Sequence, residues 1–153
     1  MYLGVMIDSE HYTDVTCVFR ETLNEVMCTL ESIAFEDDYG EVNWTDNFYL
    51  CEGRKVKRGV TNGDDYWLVM EIFEVEDNNI YLVQWHAYEG VDFDVIEFDT
   101  WDSAYNRMKR EYYDMIEDWG IDRNKNQCDI DSYSFCIDDG NEWHMMQIVT
   151  KGE

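Results

Sequence analysis

Apolar residues recur at the spacing of an amphipathic α-helix in two stretches of the sequence. The first stretch begins at Thr22, which forms a capping box with Glu25, and its apolar positions are Leu23, Val26, Met27, Leu30 and Ile33. The second stretch begins near Thr100, and Gly120 is expected to end it in the left-handed conformation. Its apolar positions are Trp101, Ala104, Tyr105, Met108, Tyr112, Met115, Ile116 and Trp119. The pattern therefore predicts one amphipathic helix in each half of the chain.

Strand-like segments surround each predicted helix. Runs of apolar residues, alternating or continuous, predict two strands before each helix and two after it. The segments are 2–7, 14–19, 46–52 and 66–75 in the first half, and 79–88, 92–98, 129–137 and 142–149 in the second. The sequence predicts an α+β fold class: two tandem β-β-α-β-β units, antiparallel sheets each with one amphipathic helix.

Short motifs recur between the two halves. They are Tyr-Leu at 2–3 and 81–82, Phe at 19 and 98, and Trp-x-x-Met-x-Ile beginning at 67 and 143. The first two recur at a spacing of 79 residues, whereas the helical stripes align better at 78. The recurrence predicts a first unit over 1–77 and a second over 78–153, which could also form one continuous domain.

The charge of the chain is strongly negative. The 153 residues include 35 acidic and 11 basic side chains, for a formal net charge of −24. Residues 1–77 carry −13 and residues 78–153 carry −11, so the acids are spread through the folded sequence and are not confined to a tail. Because self-repulsion at this charge opposes folding, we expect the acidic surface to serve the binding of a basic partner.

Neither a membrane segment nor an exported protein is indicated. No apolar run approaches the ~18 residues of a membrane span, and the N-terminal segment lacks a basic region followed by an apolar stretch. The five cysteines are Cys17, Cys28, Cys51, Cys128 and Cys136, without CxxC spacing. We expect a cytoplasmic protein whose thiols are reduced and mostly buried, Cys17 and Cys28 in particular.

Motifs for chemistry are missing from the sequence. It contains no GxSxG, no Walker-type or GxGxxG phosphate loop, and no HExxH motif. His11, His86 and His144 are isolated from one another in the chain, so neither a metal nor another cofactor is expected. We therefore do not expect an enzyme, although a small hydrolase or transferase with a carboxylate-lined pocket is an alternative.

One basic run interrupts the acidic sequence. Residues 54–58, RKVKR, hold four of the eleven basic side chains. They predict a solvated hairpin tip between strands 46–52 and 66–75; a contact for an acidic patch or a nucleic-acid phosphate is the alternative. Direct nucleic-acid binding by the whole protein is not expected, because phosphates would meet net repulsion.

Acids interleaved with aromatic residues mark the candidate partner-binding positions. The first group follows the first helix, in a predicted loop over 36–46: Glu36, Asp37, Asp38, Tyr39, Glu41, Trp44 and Asp46. The second group follows the second helix: Glu117, Asp118 and Asp122. Carboxylates on a rigid surface can imitate the charges of a phosphate backbone, and neighbouring aromatic rings can fill apolar pockets of a basic groove.

The small size, the missing enzymatic motifs and these acid–aromatic segments resemble the acidic inhibitors that phages and mobile elements direct against host nucleases. Anti-CRISPR proteins and antirestriction DNA mimics are the families concerned. The resemblance implies stoichiometric blockade of a nucleic-acid-binding groove, with a Cas effector nuclease as the favoured target in the host cytoplasm. An immunity protein that neutralises a nuclease toxin is the alternative. The oligomeric state stays open.

Overall fold

The computed structural model describes residues 1–46, 54–61, 66–76, 80–87 and 90–151. The chain divides into two compact units, Met1–Asp77 and Asn78–Glu153. Each unit is an antiparallel five-stranded sheet with one helix, so the predicted α+β class is confirmed.

The two units have the same element order. The first consists of β1 (Tyr2–Asp8), β2 (Thr16–Arg20), α1 (Leu23–Glu36), β3 (Val42–Asp46), β4 (Lys55–Thr61) and β5 (Leu68–Glu74). The second consists of β6 (Ile80–Ala87), β7 (Asp92–Phe98), α2 (Trp101–Asp118), β8 (Cys128–Ile130), β9 (Ser134–Asp138) and β10 (Trp143–Thr150). The strands are ordered β2-β1-β5-β4-β3 and β7-β6-β10-β9-β8. The same topology therefore occurs twice along the chain.

Each unit has one strand more than the four that the sequence predicts. In the first unit, β3 begins at Val42, inside the predicted loop over 36–46, and the basic run lies in β4. The predicted strand 46–52 lies outside the described residues except for Asp46, which ends β3. In the second unit, the predicted strand 129–137 is two strands. The carboxylate of Asp131 accepts hydrogen bonds from the amides of Tyr133 and Ser134, which stabilises the turn between β8 and β9.

The recurring Tyr-Leu and Phe residues are not structurally equivalent. Tyr2 lies on the face of its sheet that packs against α1, whereas Tyr81 is absent from the corresponding α2 cluster and Leu82 belongs to it. Phe19 pairs with Leu3, but Phe98 pairs with Ile80. Because side chains alternate between the faces of a strand, the spacing of 79 residues exchanges the two faces. The spacing of 78 residues, which the helices indicate, places corresponding residues on the same face of the two sheets.

Both helices begin as local sequence rules require, and α2 also has the expected glycine at its C-terminal end. Thr22 and Thr100 are the N-caps, and their hydroxyl oxygens accept hydrogen bonds from the amides of Glu25 and Ser103. Gly120 follows α2 with φ 60°, which confirms the predicted left-handed cap. Below each helix, apolar side chains of the central strands form a core cluster, with Leu30 of α1 and Met108 of α2 fully buried.

A buried ion pair lies on β5, on the sheet face opposite α1. The Glu71 side chain is 1% exposed, and its carboxylate lies 3.0 Å from Lys55 Nζ and 3.4 Å from an Arg58 guanidinium nitrogen. Both bases belong to β4, the neighbouring strand. A buried carboxylate is stable only when such partners offset its lost hydration, so this cluster fixes the pairing of β4 with β5.

We expect Glu71→Gln to lower the free energy of unfolding by ~3 kcal/mol, because two basic side chains would lose the charge that they face. Urea denaturation followed by circular dichroism measures this loss. Glu74→Gln is the matched control, since Glu74 is exposed on the same strand. Equal stability of the Glu71 and Glu74 variants would contradict a structural role for the buried pair.

Candidate partner-binding surface

The acids of the first candidate group lie at the C-terminal end of α1. Glu36 is the last helical residue, Asp37 is the C-cap and Asp38 has φ 62°, in the left-handed region. The amide of Asp38 donates to the Phe35 carbonyl and the amide of Tyr39 donates to the Ala34 carbonyl. These two hydrogen bonds form a Schellman motif, which fixes the backbone that carries the three carboxylates.

Two features of this turn disfavour acidic residues, and a third disfavours any residue other than glycine. The C-terminal end of a helix carries partial negative charge, and each carboxylate there costs ~0.3–1 kcal/mol at a surface site. In either helix, both of them described in full, the last turn holds no basic residue to offset it. The left-handed backbone of Asp38 costs about 1 kcal/mol more than it would for glycine. The acids therefore stand where they destabilise the folded chain.

The second candidate group lies in the same place on the second unit. Glu117 and Asp118 end α2, and Trp119 is the C-cap, with its side chain 49% exposed. The amides of Gly120 and Ile121 complete the same pair of cap hydrogen bonds. Two exposed acids and an exposed indole thus meet at this helix terminus.

The predicted partner-binding residues differ in exposure. Those exposed to solvent are Glu36, Asp37, Asp38, Glu41, Asp46, Glu117, Asp118 and Asp122. Tyr39 and Trp44 are half-buried and pack against the core of the first unit. Asp122 has a local structural role, because its carboxylate accepts a hydrogen bond from the Asn124 amide. Asp46 forms an ion pair with Lys57, so part of its charge is already neutralised.

Tyr39 shows that two further acids belong to the first surface. Burial raises the pKa of its phenol, and the negative charges of Asp8, Glu10 and Asp37 raise it further. Asp8 is the last residue of β1 and Glu10 lies two residues further on. Both are far from the C-terminal end of α1 in sequence, so the periodicity of the chain could not place them there. The acidic surface at the end of α1 therefore extends to the end of β1.

Trp44 is held in place by the fold. Its indole Nε1 donates to a Glu31 carboxylate oxygen at 2.7 Å, which ties β3 to α1. A Cβ atom on Gly59 would lie 2.8 Å from the Trp44 ring, so the indole rests directly on the backbone of β4. Trp44 is thus a half-buried residue with a structural role at the sheet edge and is a poor candidate for an aromatic anchor.

An exposed aromatic ring does lie nearby, at Phe35, which is 78% exposed. It lines a shallow groove between α1 and the start of β3, together with Cys28, Glu31, Ser32, Glu36, Gly40, Glu41 and Val42. In the sequence, the only indication that Phe35 is exposed is its position outside the apolar periodicity of α1, directly after Ile33 and Ala34. Sequence reasoning missed it because the single residue carries no motif.

The basic run is not a solvated hairpin tip. Lys55, Lys57 and Arg58 are half-buried in β4, where they pair with Glu71 or Asp46, and Arg54 lies 4.0 Å from Glu76. Because these side chains face acids of their own unit, they do not form a separate basic patch in the acidic surface.

Histidine side chains border the acids of the second unit. His144 pairs with His86 across β10 and β6. The centroid of its ring lies 4.6 Å from that of the Trp119 ring at an interplanar angle of 53°, and its Nε2 lies 2.9 Å from an Asp139 carboxylate oxygen. Burial alone would raise the pKa of Asp139, but hydrogen bonds from the Glu142 amide, the His144 ring and the Asn141 amide lower it overall. Trp119 is therefore held against a hydrogen-bonded histidine.

Within the described ranges, no group of three or more His, Cys, Asp and Glu side chains is placed to hold a metal ion. Among the helices described, none has the length and apolar character needed to cross a membrane. Comparison with known proteins finds no match: no protein-family model fits the chain, and no curated protein or solved structure is significantly similar to it.

The cysteines correct one expectation. Cys28 lies on the exposed side of α1, contrary to the prediction that it is buried, while Cys17 is half-buried in β2. Burial raises the pKa of the Cys17 and Cys136 thiols to about 12 and also raises that of Cys128. Cys51 lies outside the described residues.

We expect a maleimide reagent at neutral pH to modify Cys28 at least tenfold faster than Cys17 or Cys136, because the thiolate is the reactive form. Peptide mass spectrometry after short exposures measures the three rates in one sample. Comparable rates at Cys28 and Cys17 would contradict the exposed position of Cys28 on α1.

We expect Asp139→Asn to lower the free energy of unfolding by about 1 kcal/mol at pH 7. A carboxyl group whose pKa is lowered on folding stabilises the protein above its unfolded pKa, and this contribution is lost as the pH falls through the folded value. The difference between variant and parent should therefore shrink below about pH 4. Thermal unfolding across pH measures it, with the exposed Asp129→Asn as control. A difference that stays constant with pH would exclude the charge as its cause.

Proposed function

We propose that this protein is a stoichiometric inhibitor without catalytic activity, which occupies the basic nucleic-acid-binding groove of another protein. A Cas effector nuclease in the cytoplasm of the host cell is the favoured target, as for the anti-CRISPR proteins that the sequence resembles. The proposal rests on where the acids stand. Its support is that these acids lie at positions where they lower the stability of the fold.

The observation that carries the proposal is the acidic ending of both helices. Glu36, Asp37 and Asp38 lie at one C-terminus and Glu117 and Asp118 at the other, all exposed. At these positions a lysine or a glycine would stabilise the fold better. Residues that oppose stability at exposed sites are those expected to serve binding.

The internal pairing of the basic run supports the same conclusion. Lys55 and Arg58 face the buried Glu71, and Lys57 faces Asp46. A basic groove that approaches the acidic surface near α1 is therefore not repelled by a competing patch of these side chains. The field around the chain attracts cationic surfaces at long range, which speeds association.

We expect the protein to compete with guide RNA for a purified Cas effector nuclease, with an affinity that falls steeply as salt rises, because exposed ion pairs are screened. A variant with Glu36→Lys, Asp37→Lys and Asp38→Gly should associate at least tenfold more slowly. The same variant should unfold at a higher temperature, because it removes the unfavourable charges and the left-handed aspartate. Stopped-flow association and thermal denaturation measure the two effects.

The matched control is Asp14→Lys, Glu21→Lys and Glu74→Gln, all at exposed sites of the same unit. Either triple variant changes the formal net charge from −24 to −19, so only the location of the charges differs. Equal slowing by both variants would assign the effect to net charge alone. Simultaneous binding of guide RNA and this protein, or binding that ignores salt, would refute occupation of the groove.

A further inference from the structure

The two helices cover their sheets unequally. α1 has 14 residues and packs mainly on β2, β1 and β5, whereas α2 has 18 residues and packs on β7, β6, β10 and β9. The outer strands of a five-stranded sheet lie ~19 Å apart, and one helix with its side chains is ~10–12 Å wide. In the first unit, α1 therefore leaves much of the helix-side face of β4 and β3 to side chains of β3, and Val42 and Trp44 cover it over Gly59.

The groove beside α1 lies next to this edge, between α1 and the start of β3. Along α1 it is lined by Cys28, Ser32 and Phe35, which follow one another at intervals of four and three residues. Residues at these intervals share one face of a helix, which we call the groove face of α1, and a second helix can pack on such a face. The opposite wall is the segment 40–42, where Gly40 has no side chain to narrow the entrance.

The charges around this groove select its occupant. Glu31, Glu36 and Glu41 rim it, and the residues that line the described groove include neither Lys nor Arg. The centre offers the Phe35 ring and the Cys28 side chain, both exposed. An apolar centre with an acidic rim is complementary to a segment that is apolar along one stripe and basic on both sides of it.

We propose that this groove takes one basic, amphipathic α-helix of the partner protein. An apolar side chain of that helix packs on Phe35, and its Lys or Arg side chains face Glu31, Glu36 and Glu41. This inference rests on the proposed function, because it names the part of the basic partner that is held. An extended segment is disfavoured. It would add a strand to the edge of β3 and leave the groove face of α1, formed by Cys28, Ser32 and Phe35, without contacts.

The test uses three synthetic 18-residue peptides of equal charge as probes. The first carries Lys with Leu at positions of one helical face, the second has Ala in place of Leu, and the third keeps Leu but has Pro at its centre. Alanine preserves the helix and removes the apolar anchor, whereas proline preserves the anchor and breaks the helix. Titration calorimetry measures each affinity, and protection of Cys28 from maleimide reports occupation of the groove.

We expect the Leu helix to bind at least tenfold more tightly than the Ala and Pro peptides, because burial of one large apolar side chain is worth about that much. Phe35→Ala should abolish this preference and leave the weak binding that charge alone provides. Tyr133→Ala is the control, since Tyr133 is 61% exposed in the second unit. Phe35 is exposed enough that its loss should not impair folding, and thermal denaturation verifies this.

Equal affinity for the Leu and Ala peptides, or an undiminished preference in Phe35→Ala, would overturn the apolar anchor. Equal affinity for the Leu and Pro peptides would replace the helix with an extended occupant and so also refute the proposal. No nuclease is present in this experiment. Its failure is therefore distinguishable from failure of the proposed function, which the competition with guide RNA decides.

Discussion

Pairing of the first strand of each unit with its last strand is the interaction on which the rest of the structure depends. β1 pairs with β5 over seven residues and β6 pairs with β10 over eight, and both pairs lie at the centre of their sheets. Every other strand of a unit joins one side of this pair or the other. β1 is buried from Leu3 to Ile7, so its residues contribute to packing on both faces of the sheet. Closing the unit in this way orders a long segment, and that entropic cost is offset by two-sided burial.

This central burial allows the chain to carry its charge. A net charge of −24 opposes the compact state, yet most of the acids lie on the surface, where water and salt screen them. Glu71 is an acid that lies inside, and Lys55 and Arg58 face it. The carboxylates at the helix C-termini are not offset in this way. They are tolerated because the sheets and the core clusters provide the stability of each unit, and these lie away from the helix ends.

Sequence reasoning located those elements whose signals are local. The caps at Thr22, Thr100 and Gly120 involve residues within a few positions, so both helices were predicted closely. β4 was missed because its bases are accounted for by Glu71, a partner that only strand pairing brings near. The acids at the end of α1 could be found from composition, but the exposure of Phe35 and the burial of Trp44 depend on how β3 lies beside α1. Local signals predict that a helix or strand exists. The face on which each side chain lies depends on strand pairing and register, which these signals do not give.

Because the two units have the same topology, corresponding positions can be compared between them. Both helices end in the same Schellman motif, and the left-handed position is Gly120 in one and Asp38 in the other. Gly120 shows the unstrained solution, so the aspartate is a departure that stability does not explain. The same unit has the shorter helix and the exposed Phe35. The left-handed aspartate lies beside Glu36 and Asp37, the exposed acids on which the proposed function depends.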